Sequence, residues 1–369
     1  MKAPHYDNVR LTPDLIRRLP KTDLHCHLDG SLRLSSILEM AEEHGVRLPA
    51  DDEKSLAKAL HMGENCESLA RYLEAFDVTL SVMQTEAGLY RSAYELGIDA
   101  ASEGCRLIEV RFSPLLHTRD GLPLTNIIEV VAEGLRQAKR ETGIISGIVV
   151  CGIRNISPEA SLRLAELAVA YKNKSVVGFD LAGEEANYPA KAHREAFYLI
   201  RNNNVNSTCH AGEAYGPESI HQALHVCGAH RIGHGCRLRE DGDLLNYVND
   251  HRITMEVCPS SNIQTGAIED LASHPLKFYY DFGVRVTINT DNRLMTDTTV
   301  SKEMWLCHTQ MGLDLAALRE VTLNGFKGAF LHYRKKQELV KRFMLEWDEI
   351  IEAAAEPAEG AKKKRKGVA

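Results

Sequence analysis

Apolar and polar positions divide the chain into two regimes. Up to about residue 104 the period is mostly helical. Residues 32–44 repeat every three to four positions after Ser31, and Gly45 offers a stop. Within residues 67–80, Leu69, Tyr72, Leu73 and Phe76 fall at i, i+3, i+4 and i+7, one stripe of an amphipathic helix. Residues 87–104 read as another helix. Beyond them, short apolar runs alternate with helical stretches. The runs 107–112, 147–151, 176–181, 206–210, 231–234, 253–258 and 284–289 predict strands, and residues 22–27 make an eighth. Between them 127–142, 157–171, 191–202, 217–226 and 241–249 predict helices, with 268–282 partly helical. Residues 318–330 and 335–355 predict closing helices.

Apolar strands alternating with helices of ten or more residues indicate parallel βαβ units. Eight such units predict an α/β fold, a (β/α)8 TIM barrel, with extra helices after the first strand. A doubly wound open sheet is the alternative, but no Gly-x-Gly-x-x-Gly follows the first strand. No repeat and no linker interrupts residues 20–345. One domain is therefore expected over residues 1–355. The remainder, 356–369, is rich in Ala, Glu and Gly before the run Lys362 to Lys366. It reads as a disordered, solvated basic tail, although such runs also bind nucleic acid or act as targeting signals.

Composition narrows the class. Of 369 residues, 44% are hydrophobic, enough for a large core. Lys and Arg number 44 against 51 Asp and Glu, a net charge of −7, so no overall basic field draws the chain to nucleic acid or an anionic membrane. No apolar run approaches the roughly 20 residues that span a bilayer. Residues 1–20 carry scattered charges and no signal-peptide core. Nine cysteines, with no Cys-x-x-Cys pair, read as reduced and mostly buried, which predicts a cytoplasmic protein.

Candidate chemistry gathers at the ends of the predicted strands. His25 and His27 are two residues apart, so in a strand they share a face and can converge on one metal ion. His210 with Glu213, residues 180–184, His234, residues 258–262, and Asp291 with Asn292 end other strands. Each alone reads equally as a satisfied rim residue. Together, three histidines and an aspartate supply four zinc ligands, with His234 and Glu213 left for acid and base work.

Six motifs carry a resemblance. They are Thr22 to Ser31 (TDLHCHLDGS), Phe179 to Glu185 (FDLAGEE), Cys209 to Glu213 (CHAGE), Arg231 to Gly235 (RIGHG), Glu256 to Asn262 (EVCPSSN) and Asn289 to Asp291 (NTD). In order and spacing the chain resembles the adenosine deaminase family from about residue 12 to 350. The resemblance implies an eight-stranded barrel and one zinc held by His25, His27, His210 and Asp291. It implies that Glu213 protonates purine nitrogen 1. His234 is implied as base and electrostatic partner of the attacking hydroxide, which Asp291 also orients. The Gly183 amide is implied at nitrogen 3, Asp29 at the ribose 5′-hydroxyl, and His27 at the substrate as well as the metal. The stripe Leu69, Tyr72, Leu73 and Phe76 resembles the family's gate helix over the base.

The implied function is hydrolytic deamination of adenosine and 2′-deoxyadenosine, small-molecule purine nucleosides, to inosine and 2′-deoxyinosine. Asn292 departs from the pattern, since many members carry aspartate there, facing nitrogen 7. An asparagine amide donates without needing a proton first. Deamination of another 6-aminopurine, adenine or a 5′-modified adenosine, is the alternative. Asp29 favours a nucleoside, because the adenine branch tends to carry Glu there. An inactive purine- or protein-binding relative would require a lost ligand, and none is lost. A two-metal amidohydrolase would bring a bridging lysine, for which there is no motif. The His-x-Glu and Pro-Cys-x-x-Cys pattern of cytidine deaminases is absent.

Overall fold

Eight strands pair in parallel in their chain order: β1 Lys21–His27, β2 Cys105–Phe112, β3 Ile145–Ile153, β4 Val176–Ala182, β5 Asn206–Ala211, β6 Arg231–His234, β7 Thr254–Val257 and β8 Arg285–Ile288. The structure, a computed structural model, describes residue 6, residues 9–61 and residues 69–355, without the side chains of 69–74. The predicted tail at 356–369 lies outside the described residues. So do the side chains of Leu69, Tyr72 and Leu73, although the backbone carries them on the helix Leu69–Val82.

The strands are buried almost throughout, as parallel strands covered by helices must be. The outer helices show why they form. Leu124–Thr142 buries Ile127, Ile128, Val131, Leu135 and Ala138 on one face, and the chain leaves it at Gly143 in a left-handed conformation (φ 77°). Each large apolar side chain contributes roughly 1.5–3 kcal/mol before conformational entropy is set against it.

Closure of the barrel bears directly on the site. A single bridge, Cys26 to Asp291, joins β1 to the chain beyond β8. The Asp291 N–H donates to His25 O and the His27 N–H donates to Asp291 O, both at 2.7 Å. The Leu24 N–H donates to Asn289 Oδ1 at 2.9 Å. The segment that seals the barrel thus threads Asp291 between His25 and His27.

The predicted barrel is the one observed, with strand bounds shifted by a residue or two. Among the described residues four helices lie between β1 and β2: Leu34–His44, Glu53–Leu60, Leu69–Val82 and Glu86–Ser102. Residues 53–60 were not among the predicted helices, nor were Pro13–Arg18, Pro259–Gln264 and Val300–Met311. Val300–Met311 escapes a pattern search for a physical reason. Its buried face is Val300, Glu303, Met304, Cys307 and Met311, so a carboxyl stands where an apolar residue is expected. No described helix is long and apolar enough to cross a membrane.

Candidate active site

At the C-terminal end of the barrel four donor atoms converge. His25 Nε2 lies 3.1 Å from His210 Nε2 and 3.4 Å from Asp291 Oδ1. His27 Nε2 lies 3.2 Å from His210 Nε2 and 3.3 Å from Asp291 Oδ1. Zinc bonds of about 2.0–2.1 Å in a tetrahedron imply ligand–ligand edges of about 3.3–3.4 Å. The observed separations match a first coordination shell.

The carboxylates behind the cluster fix where its ring protons sit. His25 Nδ1–H donates to Glu256 Oε2 at 3.0 Å, and His210 Nδ1–H donates to Asp180 Oδ2 at 3.0 Å. Arg111 bridges both carboxylates, from Nη1 to Asp180 (2.9 Å) and from Nη2 to Glu256 (2.7 Å). Burial would raise both carboxyls. The charges around them win: Arg231 and Arg111 hold Glu256, and His210 and Arg111 hold Asp180, well below the carboxylate range. Burial, with Arg111 and His210, brings His25 down to about 4, so its imidazole is neutral. A neutral ring with its proton on Nδ1 keeps a lone pair on Nε2. His25 Nε2 therefore presents a lone pair to His210 Nε2 at 3.1 Å. Burial lowers His210 but Asp180 raises it further, so without a metal an Nε2–H on His210 can fill that contact, and a bound cation would take that proton's place.

Asp291 and His234 share an unusual backbone state. Both are non-glycine residues with positive φ, 63° and 62°, which aim their side chains into the barrel mouth. Ser261 Oγ–H donates to Asp291 Oδ2 at 2.6 Å. His234 Nε2 lies 3.5 Å from Glu213 Oε2, and Thr265 Oγ1–H donates to Glu213 Oε1 at 3.0 Å. Ligand atoms of His25, His210, His234 and Asp291 also lie within 4.8 Å of one another. This overlapping set is looser. His234 engages Asn262 and Glu213, whereas His27 lies at edge distance from two of the other donors.

A cavity of about 90 Å³ opens on these groups, walled by His27, Phe76, Gly183, His210, Glu213, His234, Thr265, Asp291 and Asn292 among others. A neighbouring hollow of about 430 Å³ shares Gly183, Glu213 and Thr265 with it. Gly183 has φ 97°, and a Cβ there would lie 2.8 Å from Asn155 Oδ1, so the position excludes a side chain. A Cβ at Gly30 would lie 2.0 Å from Asn292 Oδ1, so Gly30 leaves room for the Asn292 amide. Asp29 is buried outside that wall, its Oδ1 4.0 Å from His27 Nδ1, and burial raises its carboxyl to about 7.

The family model described as adenosine deaminase matches residues 20–345. The chain belongs to the adenosine deaminase family. A Mycobacterium marinum protein named "Adenosine deaminase" is 40% identical over 357 residues, covering 92% of this chain and 96% of that one. A Dictyostelium discoideum protein named "Probable adenosine deaminase" is 44% identical over 297 residues, 80% of this chain and 38% of that longer relative. A crystal structure titled as the Arabidopsis N6-mAMP deaminase superposes with a TM-score of 0.80 at 26% identity, over 90% of this chain and 99% of that one. The structure of an Arthrobacter aurescens adenine deaminase, at 24% identity and TM-score 0.83, shares the fold over 90% of this chain and 99% of that one. Like the rest of the adenosine deaminase family, the chain is a hydrolytic deaminase.

Around this family site stand residues that the strand-end search did not single out. Arg111 lies inside β2 and Glu256 inside β7, yet both are fully buried. A charge within an apolar strand was the available signal, since such a charge must be paired. Glu185 closes the FDLAGEE motif, and its carboxylate accepts four successive backbone N–H groups. Gly212 donates to Oε1 at 2.6 Å, while Glu213, Ala214 and Tyr215 donate to Oε2 at 2.9, 2.6 and 3.1 Å. That nest fixes the loop carrying Glu213. Nothing local in the sequence announces it.

Proposed function

We propose that the chain hydrolyses adenosine and 2′-deoxyadenosine to inosine and 2′-deoxyinosine, releasing ammonia, with one zinc ion per chain. The observation that carries the reading is the convergence of His25 Nε2 and His27 Nε2 on His210 Nε2 and Asp291 Oδ1 at tetrahedral-edge distances, in a cavity that Glu213 also lines. When bound, zinc would lower the pKa of a coordinated water from 15.7 to about 7 and so supply a nucleophile near neutral pH. In this reading His25, His27, His210 and Asp291 hold the metal. Glu213 holds a proton at purine nitrogen 1, where charge collects as ring aromaticity is lost. His234 and Asp291 orient the attacking oxygen. The Gly183 N–H meets nitrogen 3, the Asn292 amide meets nitrogen 7, Asp29 meets the 5′-hydroxyl, and the helix bearing Leu69, Tyr72, Leu73 and Phe76 covers the base.

Residues 1–355 act as one domain in this reading. The eight described cysteines, all buried and unpaired, support a reducing, cytoplasmic setting. Relatives named for adenosine support the substrate, and Asn292, with the likeness to an N6-mAMP deaminase, favours a second reading in which a 5′-modified adenosine is used. A panel of adenosine, 2′-deoxyadenosine, adenine and 5′-modified adenosines, followed by purine absorbance, tests both. The first reading requires the highest kcat/KM on the unmodified nucleosides. Preference for another member of the panel overturns it.

A further inference from the structure

His234 faces the place of attack, so it matters which of its ring nitrogens carries the proton there. A chain of contacts running away from the cavity answers this, and it starts from a group with no choice. The Leu276 backbone N–H can only donate, and it donates to His274 Nδ1 at 3.1 Å. His274 Nδ1 therefore presents a lone pair. His274 is buried, and that burial, with Arg239 nearby, brings it down to about 3. A neutral imidazole holds one ring proton, which must then sit on Nε2.

His274 Nε2 lies 3.4 Å from the fully buried Asn262. A donor there requires the Asn262 carbonyl oxygen, which turns the Asn262 amide nitrogen to His234 Nδ1 at 3.0 Å. That nitrogen can only donate, so His234 Nδ1 carries a lone pair and the ring proton sits on Nε2. Nε2 is the atom that points at the cavity, 3.5 Å from Glu213 Oε2. Each link leaves its neighbour a single hydrogen-bonding role.

We infer that Asn262 and His274 are positioning residues which lock His234 as its Nε2–H tautomer, so that it meets the attacking oxygen as a hydrogen-bond donor while its lone pair faces the protein interior. This replaces the base role that the family resemblance implies for His234. The inference rests on the proposed placement of His234 at the reacting carbon, but the tautomer can be read with no substrate present.

The experiment uses zinc-loaded enzyme labelled with 15N-histidine. Long-range 15N–1H correlations distinguish the two tautomers, and a His234→Gln sample identifies the His234 signals. The wild type should show Nε2–H at His234. Asn262→Asp keeps size and shape but offers only acceptors, so it should move the proton to Nδ1. It should also lower kcat by roughly 10²-fold, with KM changed far less and metal content unchanged. In His274→Gln the new amide can still donate to the Asn262 oxygen, so Nε2–H and most of kcat should survive. A wild-type spectrum with Nδ1–H at His234 overturns the inference. So does an Asn262→Asp enzyme with wild-type kcat and Nε2–H, or a His274→Gln enzyme showing Nδ1–H. If Asn262→Asp does not fold, the wild-type and His274→Gln spectra decide. An enzyme that prefers another 6-aminopurine leaves the tautomer result standing.

Discussion

Glu185→Gln probes how the loop beneath Glu213 is held. The wild-type carboxylate accepts four backbone N–H groups at 2.6–3.1 Å. Glutamine retains one oxygen. Its better orientation keeps that oxygen on Glu213, Ala214 and Tyr215 and sets the new NH2 against the Gly212 N–H, a donor against a donor. One hydrogen bond to a charged acceptor, worth about 1.5–3 kcal/mol, is lost. The other three fall from charge-assisted to neutral bonds, and those donors are only partly buried. The total is about 3–5 kcal/mol. At roughly 1.3 °C per kcal/mol for a chain of this size, Tm should fall by roughly 4–6 °C.

The effect on rate separates a positioning role from a structural one. A displacement of about 1 Å at a reacting group can cost 10²-fold. If the nest aims Glu213, Glu185→Gln should lower kcat by roughly 10–100-fold at temperatures where it remains folded, with metal content unchanged. Steady-state kinetics on adenosine, elemental analysis and a thermal melt measure the three quantities. A variant with lowered Tm but wild-type kcat would show that the nest holds the loop without aiming Glu213. Unchanged Tm and kcat together would refute the nest itself.

Four further outcomes are expected. His210→Ala removes one donor atom of the metal set and should lower both bound zinc and rate; full activity in a demonstrably metal-free preparation refutes the metal reading. Glu213→Gln can still hydrogen-bond nitrogen 1 but cannot transfer a proton, so kcat should fall at least roughly 10²-fold with zinc retained. Asn292→Ala should erase about 1–3 kcal/mol of discrimination against 7-deaza-adenosine, read as a double difference in kcat/KM; an unchanged ratio removes Asn292 from nitrogen 7. Burial raises Glu303 to about 7, above its ordinary 4.5, so its protonated form adds stability that is complete at low pH and lost as pH rises through about 7. The melting advantage of Glu303→Gln over wild type should therefore grow from pH 5 to pH 8, by about 3 kcal/mol at most, and parallel pH profiles would rule this out.

The barrel was legible because its signals are short-range. Short apolar runs and period-3.6 stripes show within about ten residues, and the eight predicted strands are the eight observed. His25 and His27 were legible for the same reason, since an i, i+2 pair on a strand has its geometry set by the backbone alone. Glu303 shows the converse. Its carboxyl accepts from the Ser260 N–H and Thr298 Oγ1 inside the core, and those partners, remote or local, do not change how a carboxylate reads in a periodicity search.

What escaped is how His25 and His210 are supported, and it escaped because the supporting partners meet only when the barrel closes. Arg111 on β2 reaches Asp180 on β4 and Glu256 on β7 through the barrel interior, and those two carboxylates set the tautomers of His210 and His25. Arg111 stands 69 residues from Asp180 and 145 from Glu256 in the sequence. No strand carrying one of them is anomalous except for a charge where an apolar residue belongs. A lone buried charge costs several kcal/mol. A charged residue inside a strand that is otherwise apolar on both faces therefore demands counter-charges, and in a parallel barrel these can come only from other strands. Arg111, Glu109 and Glu256 each break an apolar run in this way, and Arg231 opens the short strand β6. Arg231 completes the set by reaching Glu109 and Glu256. Pairing such residues by sign identifies the members of the interior network, and closure of the barrel at Asp291 decides which of them stand behind His25 and His210.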